Sequence, residues 1–242
     1  MVSSPCSVGT RLERLRTSIM VCSTIRCSSE NRCMSLFKNK ILSIFMLFTI
    51  PAVCLPCPVL VIGDSISAAY GLETTQGWVR LLQQKLKRER IDCEIINSSI
   101  SGDTTGGGAA RINQDLSAYH PQVVIIGLGG NDGLRGLPPR IIKKNLKTMI
   151  DRAQSSNSQV ILLGIEIPPN YGKRYTDSFK TIYQELATET KIEFVPELMT
   201  GIGDRPRYMQ EDGIHPNRAG QALIMEKIWP GLNRIIAGKT SN

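Results

Sequence analysis

From about residue 58 onward, short apolar runs alternate with stretches in which apolar residues recur every three or four positions. The runs Val59–Ile62, Glu94–Asn97, Val123–Gly127, Val160–Ile165 and Glu193–Val195 predict strands. Several are apolar at successive rather than alternate positions, the pattern of parallel strands covered on both faces. The intervening periodicity predicts helices over Trp78–Arg90, Gly108–Leu116, Pro139–Ser155 and Tyr175–Thr190. Pro138-Pro139 suits a helix start, and Ile141, Ile142, Leu146, Met149 and Ile150 fall on one face of the helix that follows. A last helical stretch runs from Asn217 towards Ile236, with Pro230 expected to break it. Strand–helix alternation of this kind builds a three-layer, doubly wound α/β domain.

Upstream of residue 57 the pattern changes. Residues 1–33 are rich in Ser, Cys and Arg and carry no apolar periodicity. Lys38 and Lys40 then precede the apolar stretch Ile41 to Ile50, closed by Pro51-Ala52-Val53-Cys54, the layout of a secretory signal. The stretch falls short of the ~20 apolar residues of a comfortable membrane span. The expected division is 1–33, either an over-extended start ahead of a native Met34 or a disordered basic tail; 34–56, a signal peptide; and 57–242, one folded domain. An uncleaved N-terminal anchor is the alternative to cleavage. Charge follows the same division. Residues 58–242 carry 22 Lys+Arg against 19 Asp+Glu, whereas the leader carries 7 against 2. The basic balance is mostly a leader property and does not argue for nucleic acid as a partner.

Within the domain, chemistry-bearing residues gather in four short blocks: Gly63-Asp64-Ser65, Gly102, Gly129-Gly130-Asn131-Asp132 and Asp212-Gly213-Ile214-His215. Together they supply a nucleophile, donors for a developing oxyanion, and a carboxylate three residues from an imidazole, the parts that serine hydrolysis requires. Ser65, Gly102 and Asn131 each follow a predicted strand, so all three leave at the carboxyl edge of the sheet, where open α/β sheets bind ligands. The chain has only two histidines. His120 stands just before a strand, at the amino edge, which leaves His215 as the imidazole able to reach Ser65. Asp64 is expected to brace its own loop through backbone hydrogen bonds. Gly106-Gly107-Gly108 lacks the Lys-Ser/Thr of a phosphate loop. No His, Cys and carboxylate residues cluster at ligand spacing, so neither a metal nor a cofactor is expected.

The same blocks carry a family resemblance. Gly63-Asp64-Ser65-Ile66-Ser67-Ala68, Ile100-Ser101-Gly102-Asp103-Thr104, Leu128 to Gly136, Pro169-Asn170-Tyr171-Gly172 and Met209 to Asn217 resemble the SGNH (GDSL-type) hydrolases. The likeness is greatest to the bacterial thioesterase I/protease I/lysophospholipase (arylesterase) group and runs from about Val59 to the last helix. Ile66 stands where the family name has leucine, a conservative apolar exchange. The resemblance implies a flavodoxin-like parallel sheet of strand order 2-1-3-4-5 and a serine esterase/thioesterase acting through an acyl-enzyme. It implies Ser65, Asp212 and His215 as catalytic residues, with Ser65, Gly102 and Asn131 as the oxyanion hole. Leu134, Leu137, Ile167, Pro168 and Tyr171, on two loops at the same edge, are apolar enough to line an acyl site; packing against one another in a closed core is the competing reading.

The expected partner is a small acyl ester, thioester or lysophospholipid, with no nucleic acid, at most transient membrane contact and a monomeric enzyme. The expected location is the periplasm, with an extracellular or N-terminally anchored protein as the alternative. A carbohydrate O-deacetylase and a non-catalytic binding domain are the competing functions. The implied topology also makes the first two strands neighbours, so Cys57 and Cys93 stand at adjacent amino ends. They form either a disulfide or a pair of thiols, Cys57 in a frayed terminus and Cys93 as a small buried residue.

Overall fold

The computed structural model describes residues 57–239. The segments expected as a tail and a signal peptide lie outside the described residues. Five strands, β1 (Cys57–Gly63), β2 (Cys93–Asn97), β3 (Val123–Gly127), β4 (Gln159–Leu163) and β5 (Glu193–Val195), form one sheet in the order β2-β1-β3-β4-β5. Every pairing is parallel. The order is the expected one. Val59 to Ile62 and Val123 to Ile126 are wholly shielded from solvent, which is why these central strands read as unbroken apolar runs. β2, at an edge, is buried only in part.

Among the described residues six α-helices connect and cover the sheet: α1 (Trp78–Arg88), α2 (Thr105–Tyr119), α3 (Gly130–Leu134), α4 (Pro139–Ser155), α5 (Lys173–Thr190) and α6 (Arg218–Lys239). α1 packs against α6, while α2, α4 and α5 pack in succession, giving the two outer layers. On α4, Ile142, Leu146, Met149, Ile150 and Ala153 are buried, and truncating one of the larger of them to alanine costs about 2–5 kcal/mol. Ile141, expected on that face, is 39% exposed.

Other boundaries also differ from expectation. α2 starts three residues before Gly108, at Thr105, because the Thr104 hydroxyl accepts the Gly107 N–H at 3.2 Å and caps the helix. Gly108 itself lies against Leu128 and Met149, where a Cβ would collide. β4 ends at Leu163, after which Gly164 donates to Val195 at 2.8 Å and the chain turns away. Pro230 does not break the last helix, which runs through it to Lys239. Pro230 is exposed, and Ile224, Ile228, Leu232 and Ile236 are buried on both sides of it. Packing of that stripe outweighs the one backbone bond that proline forfeits.

Candidate active site

β1 and β3 run in register to Gly63 and Gly127, so the chain leaves both strands side by side at the carboxyl edge. After Gly63 it winds into tight turns, with Ala68 N–H bonded to the Asp64 carbonyl at 2.9 Å and Tyr70 N–H to the Ser65 carbonyl at 3.0 Å. A Cβ on Gly63 would lie 2.5 Å from the Ser67 hydroxyl, which explains a glycine there. Asp64 braces this loop by accepting the Ile66 N–H at 3.1 Å. Its carboxyl is 4% exposed, and burial pushes its pKa up from 3.8 to about 6.

The second loop, closed by an antiparallel bridge between Met209 and Pro216 just before α6, carries the imidazole. His215 Nε2 lies 2.9 Å from Ser65 Oγ, and His215 Nδ1 lies 2.6 Å from Asp212 Oδ2. The other Asp212 oxygen accepts the N–H groups of Ile214 at 2.9 Å and His215 at 3.0 Å. The backbone bond from His215, then its side chain and the Ile214 N–H, hold the Asp212 carboxyl down at about 2. Gly213, at φ +65°, supplies the left-handed turn that lets one aspartate reach both groups.

Gly102 (φ +80°) sits in a loop pinned to β1 by Ile100 N–H donating to the Gly63 carbonyl at 3.0 Å. Asn131 Nδ2 donates to the Asp103 carbonyl at 2.9 Å, which ties its amide to that same loop. Asn131 itself lies on the short helix α3. The structure thus joins Ser65, His215 and Asp212 directly and Asn131 to the Gly102 loop. His120 caps the end of α2 just before β3, at the opposite edge of the sheet.

The two apolar loops also meet. Tyr171 Oη donates to the Leu134 carbonyl at 2.8 Å, and both side chains are exposed. Ile167 and Leu137 are half-buried and pack on the core, while Pro168 is exposed. A Cβ on Gly133 would lie 2.5 Å from the Ile167 side chain, so that glycine lets the loops close on each other. Tyr175, which sequence reasoning passed over, donates to the Leu137 carbonyl at 2.7 Å. Among the described residues, no group of three or more His, Cys, Asp and Glu stands together as metal ligands would.

Several supporting residues were also missed. Asp132 is fully buried and accepts the Thr105 N–H at 2.8 Å and its hydroxyl at 2.6 Å, locking α3 to the start of α2. Gln210 Nε2 donates to the Tyr70 carbonyl at 2.8 Å and the Pro216 carbonyl at 3.1 Å, joining the serine loop to the histidine loop. Gln221, buried in α6, donates to the Ile66 carbonyl at 3.1 Å and accepts the Trp78 N–H at 2.9 Å. The Tyr70 ring lies 4.7 Å from the imidazole centroid. Position beside Asn131 was the available signal for Asp132, and position within the Met209 to Asn217 block the signal for Gln210; Gln221 had none.

A doubly wound sheet with serine, histidine and aspartate hydrogen-bonded in series at its carboxyl edge defines a hydrolytic enzyme of the serine type. The GDSL-like Lipase/Acylhydrolase family matches residues 61–223, and the chain belongs to that family. It is 48% identical over 177 residues to Esterase TesA of Pseudomonas aeruginosa, covering 73% of this chain and 88% of that protein. It is 38% identical over 167 residues to Thioesterase 1/protease 1/lysophospholipase L1 of Escherichia coli K12, covering 69% of this chain and 79% of that protein. The solved structure of the psychrotrophic esterase EstA from Pseudoalteromonas sp., inhibited by monoethylphosphonate, matches with a TM-score of 0.70 at 39% identity. That match covers 73% of this chain and 97% of that one.

Proposed function

We propose that this protein hydrolyses fatty acyl esters and thioesters in two steps through an acyl-enzyme on Ser65. The single observation that carries this reading is the unbroken series Asp212 Oδ2, His215 Nδ1, His215 Nε2 and Ser65 Oγ, with separations of 2.6 and 2.9 Å. Ser65 Oγ attacks the acyl carbonyl as His215 takes its proton, and Asp212 orients the ring and stabilises the imidazolium. The N–H groups of Ser65 and Gly102 and the Asn131 amide donate to the oxyanion. His215 then protonates the leaving oxygen or sulfur. Water, giving its proton to His215, releases the acid and restores Ser65.

The names of the relatives, an esterase and a thioesterase/lysophospholipase, support both leaving groups. Leu134, Leu137, Ile167, Pro168 and Tyr171 receive the acyl chain. The enzyme acts as a monomer on small acyl esters, thioesters or lysophospholipids, without a cofactor. It is exported to the periplasm by the segment 34–56, cleaved on the way; among the described residues no helix is long and apolar enough to cross a membrane.

A fluorophosphonate tests the mechanism. It should label Ser65 covalently, and Ser65→Ala should abolish both labelling and ester hydrolysis. Hydrolysis retained by Ser65→Ala would remove the nucleophile from this scheme. A chain-length series of nitrophenyl esters tests the substrate class: preference for medium or long chains is expected, and strong preference for acetyl would point to a deacetylase.

A further inference from the structure

Far from the reaction centre, at the amino ends of the same strands, β1 and β2 are in register so that Cys57 faces Cys93. Register partners on parallel strands point their side chains to the same face of the sheet. Strands ~4.8 Å apart place such Cα pairs within the range of about 4.4–6.8 Å that a disulfide spans. Cys93 is 6% exposed and Cys57 is half-buried at the strand's first residue. We propose that Cys57 and Cys93 form a disulfide that staples the start of β1 to edge strand β2 once the protein meets a disulfide oxidant.

The oxidant is an external disulfide, either oxidised glutathione or the disulfide of a thiol oxidoreductase. Cys57, the more accessible sulfur, attacks as its thiolate, forms a mixed disulfide and releases one thiol of the oxidant. Cys93 then attacks the Cys57 sulfur and expels the second thiol. Two S–H bonds are lost and one S–S bond forms. Two electrons reduce the oxidant to two thiols, and the two protons balance its thiolates. The neighbouring Cys57 thiol, and then burial, raise the Cys93 thiol above its ordinary range, and its burial beside the more accessible Cys57 assigns it the resolving rather than the attacking role. A bond here closes the chain around α1 and pins an edge strand that is otherwise held on one side only. Oxidation in the cell rests on the export proposed above; the bond itself does not.

The test is peptide mapping of the purified protein under non-reducing conditions, after equilibration with oxidised glutathione. The peptide holding Cys57 should be linked to the peptide holding Cys93, and neither cysteine should alkylate until a reductant is added. Reduction should lower the wild-type Tm by ~5–15 °C and leave Cys57→Ser unchanged. kcat/KM should be the same for both, because the pair lies at the edge opposite Ser65. Two alkylated thiols after glutathione treatment, a mature chain that begins beyond Cys57, or a wild-type Tm indifferent to reductant would each overturn the proposal.

Discussion

Asp64 and Asp212 flank the same reaction centre, one on the serine loop and one on the histidine loop, and their surroundings drive their carboxyl groups in opposite directions. Asp64 is buried, accepts the Ile66 N–H on its carboxyl, and is pushed by that burial to about 6. Asp212 is exposed, accepts two backbone N–H groups and the imidazole, and falls to about 2. In the proposed mechanism Asp212 stabilises an imidazolium and so has to remain charged, and hydrogen bonds to the charged form secure that. A carboxylate that only braces a turn has no such requirement.

The largest effect that would break this comparison is Asp212→Asn, expected to lower kcat by about 10³–10⁴ because the amide cannot hold the imidazole tautomer. Asp64→Asn keeps an oxygen for the Ile66 N–H and should retain activity within about tenfold of wild type. Similar losses in the two variants, measured with one nitrophenyl ester, would exchange the roles assigned to them.

Stability against pH separates the two carboxylates further. The raised Asp64 pKa means that the native state holds its proton more tightly. Its contribution is fully present below 3.8 and lost as pH rises through about 6, on the order of 3 kcal/mol. Asp64→Asn should therefore be more stable than wild type above pH ~7, with the gap closing towards pH ~4. Asp212 has the opposite sign: its contribution is present above 3.8 and lost as pH falls through about 2. Denaturant midpoints across pH check both, and a gap that widens on acidification would contradict the burial of Asp64.

Smaller effects sharpen the picture. Asn131→Ala should lower kcat by ~10²–10³ with KM nearly unchanged, as loss of one oxyanion donor does; a pure KM effect would make it a ground-state contact. Gln210→Leu keeps bulk but removes the donor that joins the two loops, and should cost kcat on the order of tenfold through misplacement of His215. An equal loss in Tm without loss in kcat would make Gln210 a folding residue only. The smallest change is expected for Ile167→Ala. At ~0.8 kcal/mol per buried methylene it should weaken kcat/KM severalfold or more for long esters and spare acetyl esters. A uniform loss across chain lengths would assign Ile167 to the fold rather than to the acyl site.

Local pattern alone determined the central strands, the amphipathic helices and the four chemical blocks. Buried strands must be apolar, and a serine, an asparagine and an Asp-x-x-His segment are recognisable by residue type. The strand order came from family resemblance. Tertiary structure decided what depends on distant partners. Pro230 stays helical because residues on either side of it are buried. Ile141 stays exposed although the pattern put it on the buried face of α4. Gln210 and Gln221 reach across 140 and 155 residues to hold the serine loop. Asp132 finds Thr105 27 residues away, and Asp64 is pushed up by surroundings drawn from several elements. Residue type states what a side chain can donate, accept or ionise; only packing states which groups come within 3 Å of it and whether water is excluded.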